Sequence, residues 1–331
     1  MKGAIRMVEA TMLAERAEGG VRASRAAGYQ TLFVVGCPRS GTTWVQLLLD
    51  RFEGVATAPE TQIFAYYLEQ FRRQWRHEHE GPGRAHQGQA GLSRLLTESE
   101  FEELCRGCAR AVLEKIAARR PGARVVVEKS PKHALQAEFI HRLFPDAYFL
   151  HVIRDPRDTA ASLLAAARGW GRGWAPANAI EAARMWRSHV CAARAVAART
   201  DRYREVRYEA LRAQPVEELA GIVAWLGLDA DRERCEAAVR ACDLGRLQQE
   251  RSGRTLPLPG ERSPRDFFRR GVVGGWRDDL SRTDLRIVER VCGAVMEEAG
   301  YARVTRRWAP GLLRIPLHDA VQRARESIDW Q

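Results

Sequence analysis

"VVGCPRSGTTW" (Val34–Trp44) is the stretch on which the fold turns. From Gly36 to Gly41 the glycines have the G-x-x-x-x-G spacing of a phosphate-binding loop, but Thr42 stands where a Walker loop carries its lysine. Glycines at this spacing let backbone N–H groups turn toward an anion, and a helix starting near Thr42 adds the positive end of its dipole. Ser40, Thr42 and Thr43 supply further donors, and Arg39 supplies a fixed charge with a planar fork. Trp44 can stack on a base or pack in a core. The spacing alone also fits an ordinary tight turn between strand and helix, so the surrounding sequence has to decide.

Upstream, "TLFVVG" (Thr31–Gly36) is a short β-rich apolar run ending in glycine, the mark of a buried parallel strand. Downstream, "TTWVQLLLDRF" reads as a helix. "ARVVVEKS" (Ala123–Ser130), "AYFLHVIRD" (Ala147–Asp155) and "RYREVRY" read as further strands. "PKHALQAEFIHRLFP", "PRDTAASLLAAAR" and residues 62–76, 98–119, 178–199, 215–227 and 231–241 read as helices. "HEHEGPGRAHQGQAGLS" is polar and glycine-rich and reads as a loop. This alternation predicts an α/β fold, a single P-loop-like domain with a central parallel sheet flanked by helices. We place that domain at residues 30–300, after a peripheral N-terminal arm (1–29) and before a C-terminal extension (301–331) to which no motif gives a role.

The 331 residues, 45% hydrophobic and 29% charged, suffice for one large α/β domain with an ample core. No apolar stretch approaches the roughly 20 residues that span a bilayer. The first twenty residues carry Glu9, Glu15 and Glu18 and lack a signal-peptide apolar core. Together these predict a cytoplasmic protein without a membrane span. The seven cysteines have no disulfide-framework spacing. Cys105 and Cys108 form a C-x-x-C, but in a helical register they share a face with Phe101, Leu104 and Val112, so they read as buried small apolar residues rather than a redox pair. The net charge of +11 comes from dispersed arginines without aromatic interleaving, which gives no nucleic-acid signature.

Two further constellations bear on the loop. In "VIRDPRDTAASLL", Arg154 ends a predicted strand and Ser162 follows a little over two turns along the next helix. Ligands of open α/β sheets gather at the carboxyl ends of strands, so Arg154 shares an edge with the opening loop and can hold a second phosphate. A helix-capping Asp155 with solvated arginines is the plainer alternative. In "FFRRGVVGGWRDDL", Arg269 and Arg270 form a basic pair before Gly271, which fits a lid over an anion or a solvated arginine loop. One loop for a 5′-phosphate and two basic elements for another describe a nucleotide phosphorylated at both ends.

These residues together resemble the PAPS-dependent sulfotransferases, and the match runs in order from about Thr31 to Leu280. The resemblance implies a sulfotransferase fold in which Arg39, Ser40, Gly41, Thr42, Thr43 and Trp44 bind the 5′-phosphosulfate. It implies that Arg154 and Ser162 bind the 3′-phosphate, that Arg269, Arg270, Gly271, Gly274 and Trp276 close over it, and that Tyr208 in "RYEALRAQP" lies near the adenine. PAPS is then the sulfuryl donor and PAP the product, with no metal required and a small-molecule hydroxyl or amine as acceptor. The lost lysine fits this reading, because a sulfuryl group carries less charge than a γ-phosphate and moves without magnesium in this family. Arg39 can neutralise charge on the bridging oxygen as it leaves, and an arginine there looks like the bacterial and tyrosylprotein-type branches.

A general base must take the acceptor's proton. Glu60, in "ATAPETQIF" after the first helix, stands where glutamate-base branches of the family carry theirs. It also fits a carboxylate placed by a helix dipole. His133 in "EKSPKHAL" is the rival, four residues after Lys129, where histidine-base members have Lys-x-His. Lys129 resembles the lysine that tyrosylprotein-type enzymes aim at the transition state, with a surface lysine as the alternative. His77 and His79 lack a fixed third ligand for a metal, and His151 reads as structural. Two other function classes compete: a P-loop kinase-like phosphotransferase, from the glycine spacing, and a non-catalytic PAP- or polyanion-binding protein, from the charge. Trp170, Trp174, Phe267 and Phe268 can line an acceptor pocket or pack in the core, and no motif speaks to oligomeric state.

Overall fold

The apolar run before the phosphate loop forms the middle of the sheet. In a computed structural model, which describes residues 28–80, 91–229, 231–243, 245, 247, 267, 268 and 270–305, that run is β1 (Gln30–Gly36). It pairs in parallel with β3 (Val125–Lys129) on one side and β4 (Tyr148–Ile153) on the other. β2 (Val55–Thr57) and β5 (Tyr203–Arg207) complete a five-stranded parallel sheet in the order β2-β3-β1-β4-β5.

Side chains alternate across a strand, so the run has to bury both faces. Leu32 and Val34 join Val125, Val127, Leu150 and Val152 in one core cluster. Helices α1 (Thr42–Leu49), α8 (Pro215–Trp225) and α9 (Arg232–Ala241) cover that face. Phe33 and Val35 join Val126 and Phe149 on the other face, under α2 (Leu68–Glu80), α3 (Glu98–Ala117) and α4 (Ala137–Leu143). A third cluster packs α5 (Pro156–Ala167), α6 (Ala179–Arg194) and α11 (Arg282–Glu298) around Trp186. The short helices α7 (Tyr208–Ala213) and α10 (Trp276–Asp279) lie close to the sheet's carboxyl edge.

The expected single α/β unit with a central parallel sheet is what the chain adopts. The differences in detail have physical causes. β2 is three residues long, too short to show a period, and was not expected. α2 runs on through His77 and His79 to Glu80, where a loop was expected, because Glu69 ties Arg73 and Arg76 along its polar face. In α3 the buried face is Phe101, Cys105, Ala109, Leu113 and Ile116, while Leu104 and Cys108 are exposed. The shared-face reading of the C-x-x-C therefore fails: Cys105 and Cys108 are three residues apart and straddle the edge of the apolar stripe. The capping box of Thr97 and Glu100 sets that register. Most of the two terminal segments, residues 1–27 and 306–331, lies outside the described residues.

β5 also carries a pH sensor of stability. Arg194 donates to both oxygens of Glu205, at 2.8 and 2.7 Å, and His151 lies 3.2 Å from Oε2. Burial pushes the Glu205 carboxyl up, but these partners outweigh it and hold the group down at about 2. A lowered carboxyl stabilises the fold above its unfolded value of 4.5, and that contribution is lost as pH falls toward 2. The unfolding free energy of the protein, measured by urea melts, should therefore drop between pH 7 and about pH 3 by more than that of Glu205→Gln, a difference of up to about 2 kcal/mol.

Candidate active site

The connection from β3 to β4 passes over β1, so the loop after β1 lies at the point where the strand order changes sides, the place where open α/β sheets bind ligands. Backbone geometry there admits little else. Gly41, at φ +100°, caps α1, and a Cβ on it would fall 2.5 Å from the Tyr208 ring. Glycine offers no side-chain oxygen to the first N–H groups of α1, which leaves the helix end suited to an external anion. Among the described residues, two non-glycines have left-handed backbone, Arg39 (φ 75°) and Gln62 (φ 54°), and both line the same cavity. Strain of this kind collects at functional sites.

The cavity holds about 420 Å³. Arg39, Gly41, Thr42, Thr43 and Trp44 of the loop face it, as do Arg154, Ser162, Tyr208, Arg270 and Gly271. The structure thus brings the three separate basic or glycine-rich motifs to one chamber. Arg269 lies outside the described residues. Arg39 donates from Nε to Ser162 Oγ at 3.1 Å and also bonds the Phe267 carbonyl, with its guanidinium against the Trp170 and Phe267 rings. Arg154 donates to the carbonyls of Arg39 and Val272 and stacks 4.4 Å from the Tyr208 ring. Trp44 is buried, with its indole N–H on the Cys242 carbonyl and its ring edge-on to Tyr208. Two buried donor atoms of these motifs, Ser40 Oγ and Arg154 Nε, have no hydrogen-bond partner among the described residues. Buried donors of this kind are costly unless something accepts from them.

The other wall is built from the segment after β2 and the end of β3. Lys129 is fully buried, and its Nζ donates to Glu60 Oε1 at 2.6 Å and Thr43 Oγ at 3.2 Å. It is no surface lysine. Glu60 keeps 29% of its side chain exposed toward the cavity and accepts a second bond from Gln62 Nε2 at 2.6 Å. His133 is buried one layer deeper and does not line the cavity. Its Nε2 accepts from the Phe64 N–H, and its Nδ1 lies 2.7 Å from Glu128 Oε2. Burial pushes the Glu128 carboxyl up, but His133, Ser130 and Thr61 hold it below the usual carboxylate value. That network anchors Thr61 and Gln62 from beneath and so fixes Glu60 at its place on the rim.

Several site residues escaped the sequence reading. Lys132 donates to the Tyr66 hydroxyl at 2.9 Å, and both line the cavity. Tyr66 arrives there through a π-helical turn, Ile63–Tyr67, a rare element that is frequent at functional sites. Asp158, in the first turn of α5 within "VIRDPRDTAASLL", also lines the cavity and lies 3.9 Å from the Arg154 guanidinium. Trp170, Trp174, Phe267 and Phe268 form a contiguous aromatic wall. Among the described residues, no group of three or more His, Cys, Asp or Glu is placed to hold a metal, and no helix is long and apolar enough to cross a membrane.

A model of the Sulfotransferase family matches residues 31–232. The nodulation protein NoeE of Sinorhizobium fredii is 27% identical over 289 residues, covering 81% of this chain and 65% of NoeE. The protein-tyrosine sulfotransferase of Drosophila melanogaster is 30% identical over 133 residues, covering 40% of this chain and 25% of that protein. The chain thus spans less than two thirds of the length of either relative. Among solved structures, mouse sulfotransferase SULT7A1 complexed with PAP superposes with a TM-score of 0.52 at 18% identity, over 81% of this chain and 85% of that one. The sulfotransferase domain from the curacin biosynthetic pathway does so with a TM-score of 0.51 at 14% identity, over 83% and 98%. At these identities the likeness is one of fold.

Proposed function

From the premise that this chain belongs to the sulfotransferase family, we propose that it moves a sulfuryl group from PAPS to a hydroxyl or amine of a small-molecule acceptor, with Glu60 as general base. The observation that carries the reading is a pair of buried donors with no partner among the described residues, Arg154 Nε on a cavity-lining residue and Ser40 Oγ in the loop beside it, across from a rim that holds the Glu60–Lys129 pair. A doubly phosphorylated nucleotide satisfies both donors, and the residues present fit one. In this reading Ser40, Gly41, Thr42 and Thr43 hold the 5′ end, Arg154 and Ser162 hold the 3′-phosphate with Arg270 and Gly271, and Tyr208 and Trp44 flank the base. PAPS supplies the sulfuryl group when bound.

The protein's own groups divide the remaining work. Glu60 reaches the acceptor side of the cavity with its carboxylate already oriented by two donors, so it can receive a proton without reorganising. Lys129, buried between Glu60 and Thr43, sets a positive charge between base and donor loop, where negative charge develops. Arg39 is the loop's own charge, and it serves the leaving oxygen once it turns from its bonds to Ser162 and the Phe267 carbonyl. The aromatic wall excludes water from this side. His133 is buried below the rim, its Nε2 taken by the Phe64 N–H and its Nδ1 turned to Glu128, which favours Glu60 over it as base.

Incubation with radiolabelled PAPS and a broad panel of hydroxyl and amine acceptors should transfer label and release PAP, and calorimetry should detect PAP binding. No PAP binding would overturn the reading. Gly41→Ala should weaken PAP binding about tenfold or more, because its Cβ meets the Tyr208 ring 2.5 Å away and its φ is +100°. The same change should cost roughly 1–3 kcal/mol of stability, measured by urea melts.

A further inference from the structure

We propose that Asp158 is the positioning residue that pins the Gly271–Trp276 segment over the cavity, and that through this pin the protein prefers a 3′-phosphorylated nucleotide to its unphosphorylated counterpart. The second part rests on the donor reading above. Asp158 lies in the first turn of α5, and only 3% of it is exposed. Its Oδ2 accepts from the Gly274 N–H and its Oδ1 from the Trp276 N–H, each at 2.8 Å. Both oxygens of one carboxylate are thus spent on the backbone of a single crossing segment.

The neighbours complete the grip. Arg154 donates to the Val272 carbonyl at 2.9 Å and lies 3.9 Å from Asp158 Oδ2. Tyr208 donates to the Gly271 carbonyl at 3.0 Å, and the Arg157 guanidinium lies 4.4 Å from the centre of the Trp276 ring. Residues 271, 272, 274 and 276 are therefore each held from the sheet's carboxyl edge. Apolar burial does little for the middle of this stretch, since Val272 and Val273 are 50% and 48% exposed. A buried carboxylate near a chamber built for anions would oppose their binding. Its presence there makes sense if its charge is consumed in holding the segment that carries Arg270 and Gly271 against Ser162 and Arg154.

The test uses the full chain with Asp158→Ala and Asp158→Asn. Amide hydrogen exchange over residues 270–280 is read in nucleotide-free protein, and PAP and AMP affinities are read by calorimetry. In Asp158→Ala we expect exchange in this segment to quicken about tenfold or more while β1 is unchanged, and the preference for PAP over AMP to fall about tenfold or more with AMP affinity within about twofold. Asp158→Asn keeps one acceptor and should lie between, and it carries the comparison if the alanine variant does not fold. Unchanged exchange overturns the pin. Equal weakening of PAP and AMP in a folded variant overturns the selectivity and leaves Asp158 merely structural. If the unmodified protein binds PAP no better than AMP, the donor reading falls, and exchange alone decides for or against the pin.

Discussion

Glu60→Gln should lower turnover of PAPS by about 10²–10⁴-fold while PAP binds with its affinity nearly unchanged, the usual scale for removing a positioned general base. The substitution keeps the length and shape of the side chain, and its carbonyl oxygen can still accept from Lys129, as Oε1 does at 2.6 Å. The loss is confined to proton acceptance. Gln62 must rotate its amide to face the new NH₂ group, a local change that leaves the loop and the Arg154 side of the cavity untouched. Single-turnover assays with labelled PAPS separate this outcome from slow product release, and calorimetry with PAP verifies the donor site. Wild-type turnover in the variant would remove Glu60 from the mechanism and make His133→Ala the next experiment, even though that ring is engaged by Phe64 and Glu128.

What could be read in advance tracks how local each determinant is. β1 and the turn after it are written in adjacent residues: an apolar run, two glycines at loop spacing, then a helix. They could be read directly, and so could the strands at Val125–Lys129 and Tyr148–Ile153. β2 escaped because "VAT" becomes a strand only by pairing with Val125–Val127. α11 escaped although its apolar residues have helical period, because the partners that bury it lie far upstream, on α5 and α6. Among the site residues, those with chemistry inside a motif were found, except Lys132 in "EKSPKHAL". Those whose role is to hold a motif were missed: Asp158 under Gly274 and Trp276, and Glu128 under Thr61 and Ser130. A carboxylate that grips backbone N–H groups leaves no mark in the segment it grips, since any residue there offers the same donor. The Arg39–Ser162 bond is similar: both residues were named, but for opposite ends of a nucleotide, and only the fold brings them within 3.1 Å.

Lys129→Met tests whether the rim works as a unit. Methionine keeps the apolar stem that the fully buried site accommodates and removes the charge shared by Glu60 and Thr43. Removing one partner of a buried pair costs about 3–5 kcal/mol when the other charge is stranded. Glu60 is 29% exposed and can turn to water, so the cost here should be discounted to roughly 1–3 kcal/mol. The catalytic effect should be larger, a fall in kcat of about a hundredfold or more, since a preorganised cation is lost from a dry site. Lys129→Arg should not restore activity, because a planar fork does not fit a site shaped around one nitrogen held at 2.6 and 3.2 Å. The double variant Glu60→Gln with Lys129→Met decides the matter. If Lys129 acts by orienting and balancing Glu60, the double variant should be scarcely worse than the poorer single one, as for residues that act together. Multiplying defects would instead mean that Lys129 acts on the donor through Thr43, independently of the base.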